Sequence, residues 1–408
     1  MPTITDRNSP YFIDFPERIK AIQQSMAEEK IDVYLGSRLR TLSWTTDAFC
    51  PWRSFIVIPA EGLPYVFTFL IDAGRIEDES WLDEDHVLGY VSMGGMDQIS
   101  LISSYIQEAL PGGKGRIGFE DGMSNYTPEG NLTRREYQGF SDALPGCELV
   151  NAQYIVDRLA ILKDEGTMNR FREASRMVDV GHKAVFEALS GGGWKGVTET
   201  EIAGIAALAM RRAGSEWEWS FTGGNEIASG YRTGLPGCAC TPPSRRELKK
   251  GEPLMVDIHA TFRLGLGDHS HNYFIESATD RQMWHAQNFL LMVRETLKRY
   301  KAGVTPDVLS EELLEIAADQ GFGEYMLPGF EHGIGMLGDE WRIGRDDGPI
   351  PYWTDPDHSY KKDEMVICAM QYACPDEKIG FRYENPIIIR ETNCEILSKY
   401  PLSVDIIQ

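Results

Sequence analysis

The feature that most restricts the fold of this chain is a short pattern that occurs twice. The tripeptide Gly-Val-Thr precedes a helix-like segment at residues 196–198 and again at residues 303–305. In both places the threonine is a residue type that caps helix N-termini, and a glycine suited to end the helix follows sixteen residues later, at Gly214 and Gly321. Two helical units of the same construction, each leading towards strands, predict a duplicated α+β half.

The first 160 residues show a different organisation. Helical periodicity is present over residues 16–29 and 101–110. Short apolar runs bounded by turn residues predict strands at 31–35, 54–59, 64–67 and 116–119. A long helix is predicted over about 165–189, ended by three consecutive glycines. We therefore expect an α/β N-terminal domain over residues 1–160 and an α+β domain with a pseudo-twofold repeat over residues 161–408.

Composition excludes several classes of function. The net charge of −22 opposes binding to nucleic acid, which needs clustered lysine and arginine. No stretch has the run of about 18 apolar residues that a membrane-spanning helix requires, and the N-terminal segment lacks an apolar signal core. The seven cysteines include no CxxC pair, as expected in a reducing compartment. We expect a cytoplasmic protein that binds neither membranes nor nucleic acid.

Four residues that could hold a cation or catalyse a reaction follow one another in the last 160 residues. Asp257 lies in a short apolar strand, and Asp268 follows it by eleven residues, after a predicted glycine-rich turn at 265–267. His332 lies in a loop among glycines, and Glu384 lies in a strand entering the core. Oxygen ligands from paired carboxylates suit a divalent cation. Taken singly, the two aspartates are more typical of turns and strand ends and the histidine of a loop, whereas a glutamate in such a strand is rarely buried without a partner.

The order of these four residues, together with the internal repeat, resembles the pita-bread superfamily that includes methionine aminopeptidase, Xaa-Pro aminopeptidase and creatinase. The resemblance covers residues 160–408, and the N-terminal domain also resembles the creatinase and prolidase type. It implies a pita-bread catalytic domain, a divalent metal (Fe, Zn or Mn) and a homodimer. The metal ligands that it implies are Asp257, Asp268, His332 and Glu384.

The chain also departs from the superfamily pattern. In the segment that begins Glu364-Met365-Val366, Met370 stands where the peptidases have a further glutamate ligand. A thioether is a poor ligand for hard cations, so we expect one ion per chain or none. The second catalytic histidine of the peptidases is absent, and Gly338-Asp339-Glu340-Trp341 occupies that stretch. These losses argue against ordinary peptide hydrolysis.

The departures favour a branch that resembles ectoine hydrolase, creatinase and dimethylsulfoniopropionate lyase. The first expectation is hydrolysis of a C–N bond in a small, polar, non-peptide substrate. The alternatives are a lyase that removes an α-proton and expels a β-leaving group, an aminopeptidase or prolidase-like enzyme, and an inactive binding protein. The resemblance implies that Asp339 is the general base, and the expected catalytic residues are Asp339, Glu384 and His332.

A small substrate with a carboxylate, or a zwitterion, needs positively charged and aromatic partners. Arg232 is the candidate for a bidentate carboxylate contact, with Tyr231 beside it. Trp217 and Trp219 could hold a cationic group by cation–π attraction, although a strand alternating between core and surface is the favoured explanation. In the homodimer that the resemblance implies, Trp52 and Arg53 are expected to reach the other chain's pocket.

Overall fold

The structure is a computed structural model that describes residues 2–91, 96–121, 130–216, 224–235, 241–327, 331–340, 342–343, 349–350 and 358–408. At positions 96, 97, 339, 342, 343, 349 and 350 only the backbone is described. None of the helices in these ranges combines the length and the apolar character that crossing a membrane would require.

The chain divides into two compact units, residues 1–161 with 342–349 and residues 162–341 with 350–408. The first unit contains α1 (Phe15–Glu28), β1 (Val33–Gly36), α2 (Leu39–Thr46), β2 (Phe55–Pro59), β3 (Tyr65–Phe69), α3 (Leu70–Glu79), β4 (Val87–Tyr90), α4 (Met96–Ala109), β5 (Arg116–Phe119), α5 (Arg134–Ala143), β6 (Glu148–Asn151) and α6 (Gln153–Ala160).

The second unit holds the longer elements. They are α7 (Glu165–Leu189), α8 (Glu199–Ala213), β7 (Glu226–Ser229), β8 (Pro253–Phe262), β9 (Gly265–Ile275), α9 (Asp280–Arg299), α10 (Pro306–Asp319), β10 (Glu331–Gly335), β11 (Gly338–Glu340), β14 (Met365–Cys374), β15 (Ile379–Ile389), β16 (Cys394–Ile396) and β17 (Val404–Ile407). Two short strands, β12 (Arg342–Ile343) and β13 (Pro349–Ile350), pair with each other, and residues 342–349 of this pair belong to the first unit.

The first unit is built on one mixed sheet with the strand order β4-β3-β2-β1-β5-β6. Strand β2 is antiparallel to both neighbours, while β1–β5, β5–β6 and β3–β4 are parallel. The connections β3–β4 and β5–β6 run through the helices α3 and α5, as parallel pairing requires. The predicted α/β alternation is therefore present in this unit, with α4 beginning five residues earlier than the periodicity indicated.

A buried ionic network fixes α2 against the sheet of the first unit. The guanidinium of Arg38 is fully buried and contacts Glu120 at 3.0 Å and Asp157 at 2.9 Å. Glu120 also accepts hydrogen bonds from the backbone N–H groups of Ser37 and Arg38, at 2.5 and 2.7 Å. A buried charge left without its partner costs about 3–5 kcal/mol, so this network ties the start of α2 to the end of β5.

The second unit consists of two similarly built halves. In the first half, α7 and α8 pack on the hairpin β8–β9, and in the second half α9 and α10 pack on the hairpin β14–β15. The two hairpins are joined side by side through Asn272. Its Nδ2 donates to the Arg382 carbonyl oxygen at 2.7 Å, and its Oδ1 accepts from the Arg382 N–H at 3.2 Å.

Helix caps support the internal repeat. Thr198 forms a capping box with Glu201 at the start of α8, and Gly214 ends that helix with a left-handed φ of 111°. Thr305 occupies the N-cap position of α10, where its side chain makes no capping hydrogen bond. The two helices therefore correspond in position, although only the first has the full capping arrangement.

The glycine-rich segment 265–267 is part of β9 and not the turn that the sequence suggested. The turn is formed instead by Arg263 and Leu264, with φ values of 47° and 64°. Gly267 has another function: a Cβ there would lie 2.7 Å from the backbone of Ala174 in α7. The missing side chain lets helix and strand approach closely, which prediction from turn propensity alone could not reveal.

The pH dependence of stability should reveal a buried neutral histidine between α7 and β9. His182 donates from Nε2 to the His269 carbonyl oxygen at 3.1 Å. Burial, with the neighbouring His271 and His269 rings, lowers the pKa of His182 well below its ordinary value. As the pH falls below about 6.5, His182 is protonated in the unfolded chain while it is still neutral in the folded protein. Protonation therefore favours unfolding, and the free energy of unfolding decreases.

We expect the unfolding free energy of the wild type to fall by about 1 kcal/mol more than that of His182→Gln between pH 7.5 and 5.5. Glutamine keeps a donor for the carbonyl and does not titrate. Guanidinium unfolding curves of both proteins at the two pH values measure the difference. Equal losses would contradict a neutral His182 in the native state.

Candidate metal centre and active site

The hairpin β8–β9 places two of the predicted ligands on one face of the sheet. Its register pairs Asp257 with Ser270 and His259 with Asp268. Because opposite residues of an antiparallel pair project to the same side, and sides alternate along each strand, Asp257, His259 and Asp268 share a face. All three side chains are buried.

The other two predicted ligands come from β10 and β15. Glu384 lies opposite Ala369, and His332 lies opposite Ile367 on the other edge of β14. His332 Nε2 lies 3.6 Å from Glu384 Oε1. One ligand atom each of Asp268, His332 and Glu384 lies within 4.8 Å of the others. Four residues distant in sequence thus come together at the junction of the two hairpins.

A guanidinium lies within this group of carboxylates. Arg382 Nη2 lies 2.5 Å from Glu384 Oε1, and its Nη1 lies 3.0 Å from Asp257 Oδ2. The same Nη1 lies 2.5 Å from an oxygen of Glu226, which projects from β7 directly opposite Asp257. Arg382 is therefore a built-in cation that contacts three buried carboxylates.

A second cation lies at the other end of the group. His259 Nε2 is 3.1 Å from Asp268 Oδ1. Burial alone would lower the pKa of His259, but the nearby Asp268 outweighs it and raises that pKa to about 9. The four carboxylates thus face one guanidinium and one imidazolium, which leaves two negative charges for protons or a divalent cation to balance.

Protonation differs between two adjacent carboxyl groups. Burial raises the pKa of Asp257 well above its ordinary value, and the negative charges of Glu384 and Asp268 add to this against the opposing Arg382. Burial also opposes ionisation of Glu384, but Arg382 and His332 outweigh it and hold the pKa of Glu384 well below its ordinary value. The arrangement is a proton-bearing Asp257 beside an ionised Glu384.

The residues present fit one divalent ion. Asp257, Asp268 and Glu384 supply carboxylate oxygens and His332 an imidazole nitrogen, a set suited to Mn, Fe or Zn. Asp257 Oδ1 and Glu384 Oε2 are buried and make no hydrogen bond, as expected of atoms positioned for a cation. The Arg382 guanidinium contacts Asp257 and Glu384 and fills part of the space beside these two carboxylates.

The interpretation of Met370 as a residue at a ligand position is wrong. Met370 pairs with Tyr383, and both lie in the apolar core formed with α9 and α10. Its sulfur accepts a hydrogen bond from the Thr296 hydroxyl at 3.2 Å. Because strand faces alternate, the side chain that faces Glu384 across the ladder is Ala369. The chain lacks a carboxylate opposite Glu384, and the residue at that position is Ala369 and not Met370.

The predicted base lies on the strand beside His332. Asp339 of β11 is in register with Ile334 of β10, two residues beyond His332. Its neighbour Glu340 forms a buried ion pair with Lys163 at 2.6 Å. Glu340 is thus neutralised within the fold, and Asp339 remains the candidate base from this stretch.

The structure places the predicted substrate-binding residues as follows. Arg232 contacts Glu199, and its Nη2 donates to the Pro242 carbonyl oxygen at 2.7 Å. Tyr231 is 54% exposed. Trp217 and Trp219 lie outside the described residues. Arg232 already has a buried partner, so its predicted contact with a substrate carboxylate would compete with Glu199.

Two further predicted residues belong to the first unit. Trp52 is 49% exposed and its ring lies 5.3 Å from that of Phe69. Arg53 makes a bidentate ion pair with Glu136, at 2.7 and 2.9 Å. Arg53 is therefore held within its own unit, and its role towards a second chain stays a prediction.

Sequence reasoning missed three charged residues of the site, namely Glu226, His259 and Arg382. Two of them carried a usable signal, because His259 lies two residues after Asp257 and Arg382 two residues before Glu384. In a strand such residues share a face with the predicted ligand. Glu226 had no such signal, since only the pairing of β7 with β8 brings it opposite Asp257.

Comparison with known proteins supports the family that the sequence predicted. Residues 169–391 match metallopeptidase family M24, and residues 18–160 match the creatinase/prolidase N-terminal domain. An Xaa-Pro dipeptidase of Pyrococcus furiosus is 24% identical over 272 residues, 66% of this chain and 72% of the relative. A creatinase of Bacillus sp. (strain B-0618) is 22% identical over 406 residues, 95% of this chain and 91% of the relative.

A solved structure extends the likeness to both units. The X-Pro aminopeptidase from Thermotoga maritima MSB8 has a TM-score of 0.78 at 20% identity, covering 95% of this chain and 99% of the other. The two-unit fold and the buried carboxylate site define an enzyme of the creatinase/aminopeptidase superfamily. The chain belongs to metallopeptidase family M24 and is a hydrolase of that family. The predicted family and fold class are confirmed.

Adding a carboxylate to β14 can test whether position 369 or position 370 faces the site. In Ala369→Glu the new side chain would face Glu384, with Cβ atoms about 5 Å apart. We expect this variant to retain more Mn²⁺ than the wild type after dialysis, measured by elemental analysis. Met370→Glu is the matched control: it buries an unpaired carboxylate in the apolar core, so we expect no added Mn²⁺ and a loss of about 3–5 kcal/mol in stability. The reverse result would restore Met370 as the ligand position.

Proposed function

We propose that this enzyme hydrolyses a C–N bond in a small, polar, non-peptide substrate that carries a carboxylate or is zwitterionic. In this proposal residues 161–408 form the catalytic domain and residues 1–160 an N-terminal domain of the creatinase/prolidase type. A cytoplasmic location is part of the proposal, supported by the free thiols of the described cysteines.

The observation that supports the proposal best is the position of Arg382. Its guanidinium bridges Glu226, Asp257 and Glu384, while the side chain facing Glu384 across the ladder is an alanine. A pair of metal ions would need those carboxylates and one more. The arrangement therefore suits a single ion, and it differs from the two-ion set expected of the peptidase branch.

The single ion would be held by Asp257, Asp268, His332 and Glu384. When bound, a divalent cation supplies Lewis acidity towards an oxygen of the substrate or of water. Asp257 would release its proton as the ion binds, because carboxylates coordinate in the ionised form. Arg382 would keep Glu384 ionised and fixed in orientation, since it contacts that carboxylate at 2.5 Å.

The chain's own residues would then carry the proton. Asp339 accepts a proton from water as the water oxygen forms a bond to the substrate carbon. The C–N bond breaks, and the same proton passes to the leaving nitrogen, so that one water is consumed per bond cleaved. General-base assistance of this kind contributes about a hundredfold or more to the rate.

Xaa-Pro dipeptide hydrolysis is the second candidate. It is favoured by the relative from Pyrococcus furiosus, which is an Xaa-Pro dipeptidase. None of the relatives named above is a lyase. The two hydrolytic candidates differ in substrate and share the water-derived oxygen in the product.

We expect the Mn²⁺-loaded enzyme to cleave creatine or a cyclic amidine carboxylate such as ectoine in preference to Ala-Pro. Mass spectrometry in water labelled with heavy oxygen should show one labelled atom in the product acid or amide. In Asp339→Asn, kcat should fall about a hundredfold or more with KM largely kept. Faster cleavage of Ala-Pro would favour the dipeptidase. An unlabelled product would contradict hydrolysis.

We also propose a homodimer in which Trp52 and Arg53 of one chain approach the pocket of the other. The exposure of Trp52 supports an apolar contact outside its own unit. Light scattering should give twice the chain mass of 46.0 kDa at micromolar concentration. Trp52→Ser should weaken the dimer. A wild-type monomer would exclude the arrangement.

A further inference from the structure

A second group of possible metal ligands lies away from the carboxylate site, at the turn of the hairpin β14–β15. Its members are His285, Cys374 and Glu377, and one ligand atom of each lies within 4.8 Å of the others. Cys374 pairs with Ile379, five positions along the ladder from the pair of Ala369 with Glu384. At about 3.3 Å per residue the two sites are about 17 Å apart. Cys374 also faces the apolar core, the side opposite to Glu384.

The turn sequence explains why the thiol and the carboxylate converge. Cys374 ends β14, and Lys378 precedes β15 with a left-handed φ of 57°. The Lys378 N–H donates to the Pro375 carbonyl oxygen at 3.0 Å, which closes a tight turn. Cys374 and Glu377 therefore lie three residues apart on one bend of the chain, both near the N-terminal end of α9.

His285 projects from the second turn of α9 into this group. Its Nδ1 lies 2.6 Å from the hydroxyl oxygen of Tyr372, which fixes the ring orientation. Its Nε2 is buried, and although Glu377 Oε2 lies 3.2 Å away, the two groups are not aligned for a hydrogen bond. The ring itself is fully buried. A buried nitrogen is thus aimed at a carboxylate and a thiol without a hydrogen bond of its own.

The Glu377 carboxylate also pairs with Arg281, and one of its two oxygens still faces His285. Arg281 Nη2 lies 2.7 Å from Glu377 Oε1, and its Nε lies 3.0 Å from the same oxygen. The guanidinium also stacks on Trp284 at 4.3 Å, which holds it to the outer side. Oε2, the oxygen nearer His285, has one longer contact with Arg281 Nε, at 3.1 Å.

We propose that His285, Cys374 and Glu377 form a second cation site, selective for a borderline-soft divalent ion of the Zn²⁺ type. A sulfur, an imidazole nitrogen and a carboxylate oxygen are ligands that zinc accepts and that Mg²⁺ and Ca²⁺ do not select. With Cys374 bound as the thiolate, its proton leaving to solvent, the thiolate and Glu377 together match the charge of the ion. The ion would fasten the start of α9 to the hairpin that carries Arg382 and Glu384.

Cobalt distinguishes this site from the catalytic one, because thiolate coordination to Co²⁺ gives a near-ultraviolet charge-transfer absorption that oxygen and nitrogen ligands lack. The ligands proposed for the catalytic ion contain no sulfur. Titrating the reduced full-length protein with Co²⁺ should therefore produce this band, with an amplitude of one thiolate-bound Co²⁺ per chain once both sites are filled. Excess Zn²⁺ should remove it, and excess Mg²⁺ should not.

Variants complete the test. Cys374→Ser should abolish the band, whereas Cys394→Ser, which removes another free thiol of the same unit, should leave it unchanged. Glu377→Gln changes an exposed residue and leaves the Cys374 thiol in place. It should weaken Co²⁺ binding about tenfold or more, because loss of even an outer partner of a metal ligand costs that much. Absence of the band in the wild type, or its survival in Cys374→Ser, would overturn the proposal.

Discussion

The structure of the second unit depends on the buried guanidinium of Arg382. It contacts Glu226, Asp257 and Glu384, which come from three different strands. Carboxylates brought this close in a buried place repel one another, and removal of the arginine that they share would leave charges that cost about 3–5 kcal/mol. The same contact holds the pKa of Glu384 well below its ordinary value, while burial raises the pKa of Asp257 against it. One side chain therefore acts on both the packing and the ionisation of the site.

The two halves meet through this residue by its backbone as well. The amide of Asn272 binds the N–H and the carbonyl of Arg382, so that β9 and β15 are in contact although they are not paired strands of one sheet. Each half has its own apolar core behind its hairpin. The polar residues of both hairpins point to the shared side, which is why a duplicated fold produces one site between its halves.

Much of this could be predicted from the sequence, because local patterns determine it. The order of Asp257, Asp268, His332 and Glu384 predicted a site, and helix caps and glycines predicted the boundaries of α7 and α8. The prediction of which side chain of β14 faces the site was wrong. Met370 was placed in the site although the alternation of β14 directs Ala369 there. Glu226 could not be predicted, since its place depends on pairing between strands far apart in sequence.

The late position of Arg382 in the chain has a consequence for synthesis. The hairpin β8–β9 ends at Ile275, 107 residues before the arginine that contacts its Asp257 is added. A chain emerging from the ribosome folds from its N-terminal end. Until β15 emerges, Glu226 and Asp257 lack this guanidinium and must stay protonated or hydrated, whereas Asp268 already has His259 on its own hairpin. The last strands, and not the first, close the second unit.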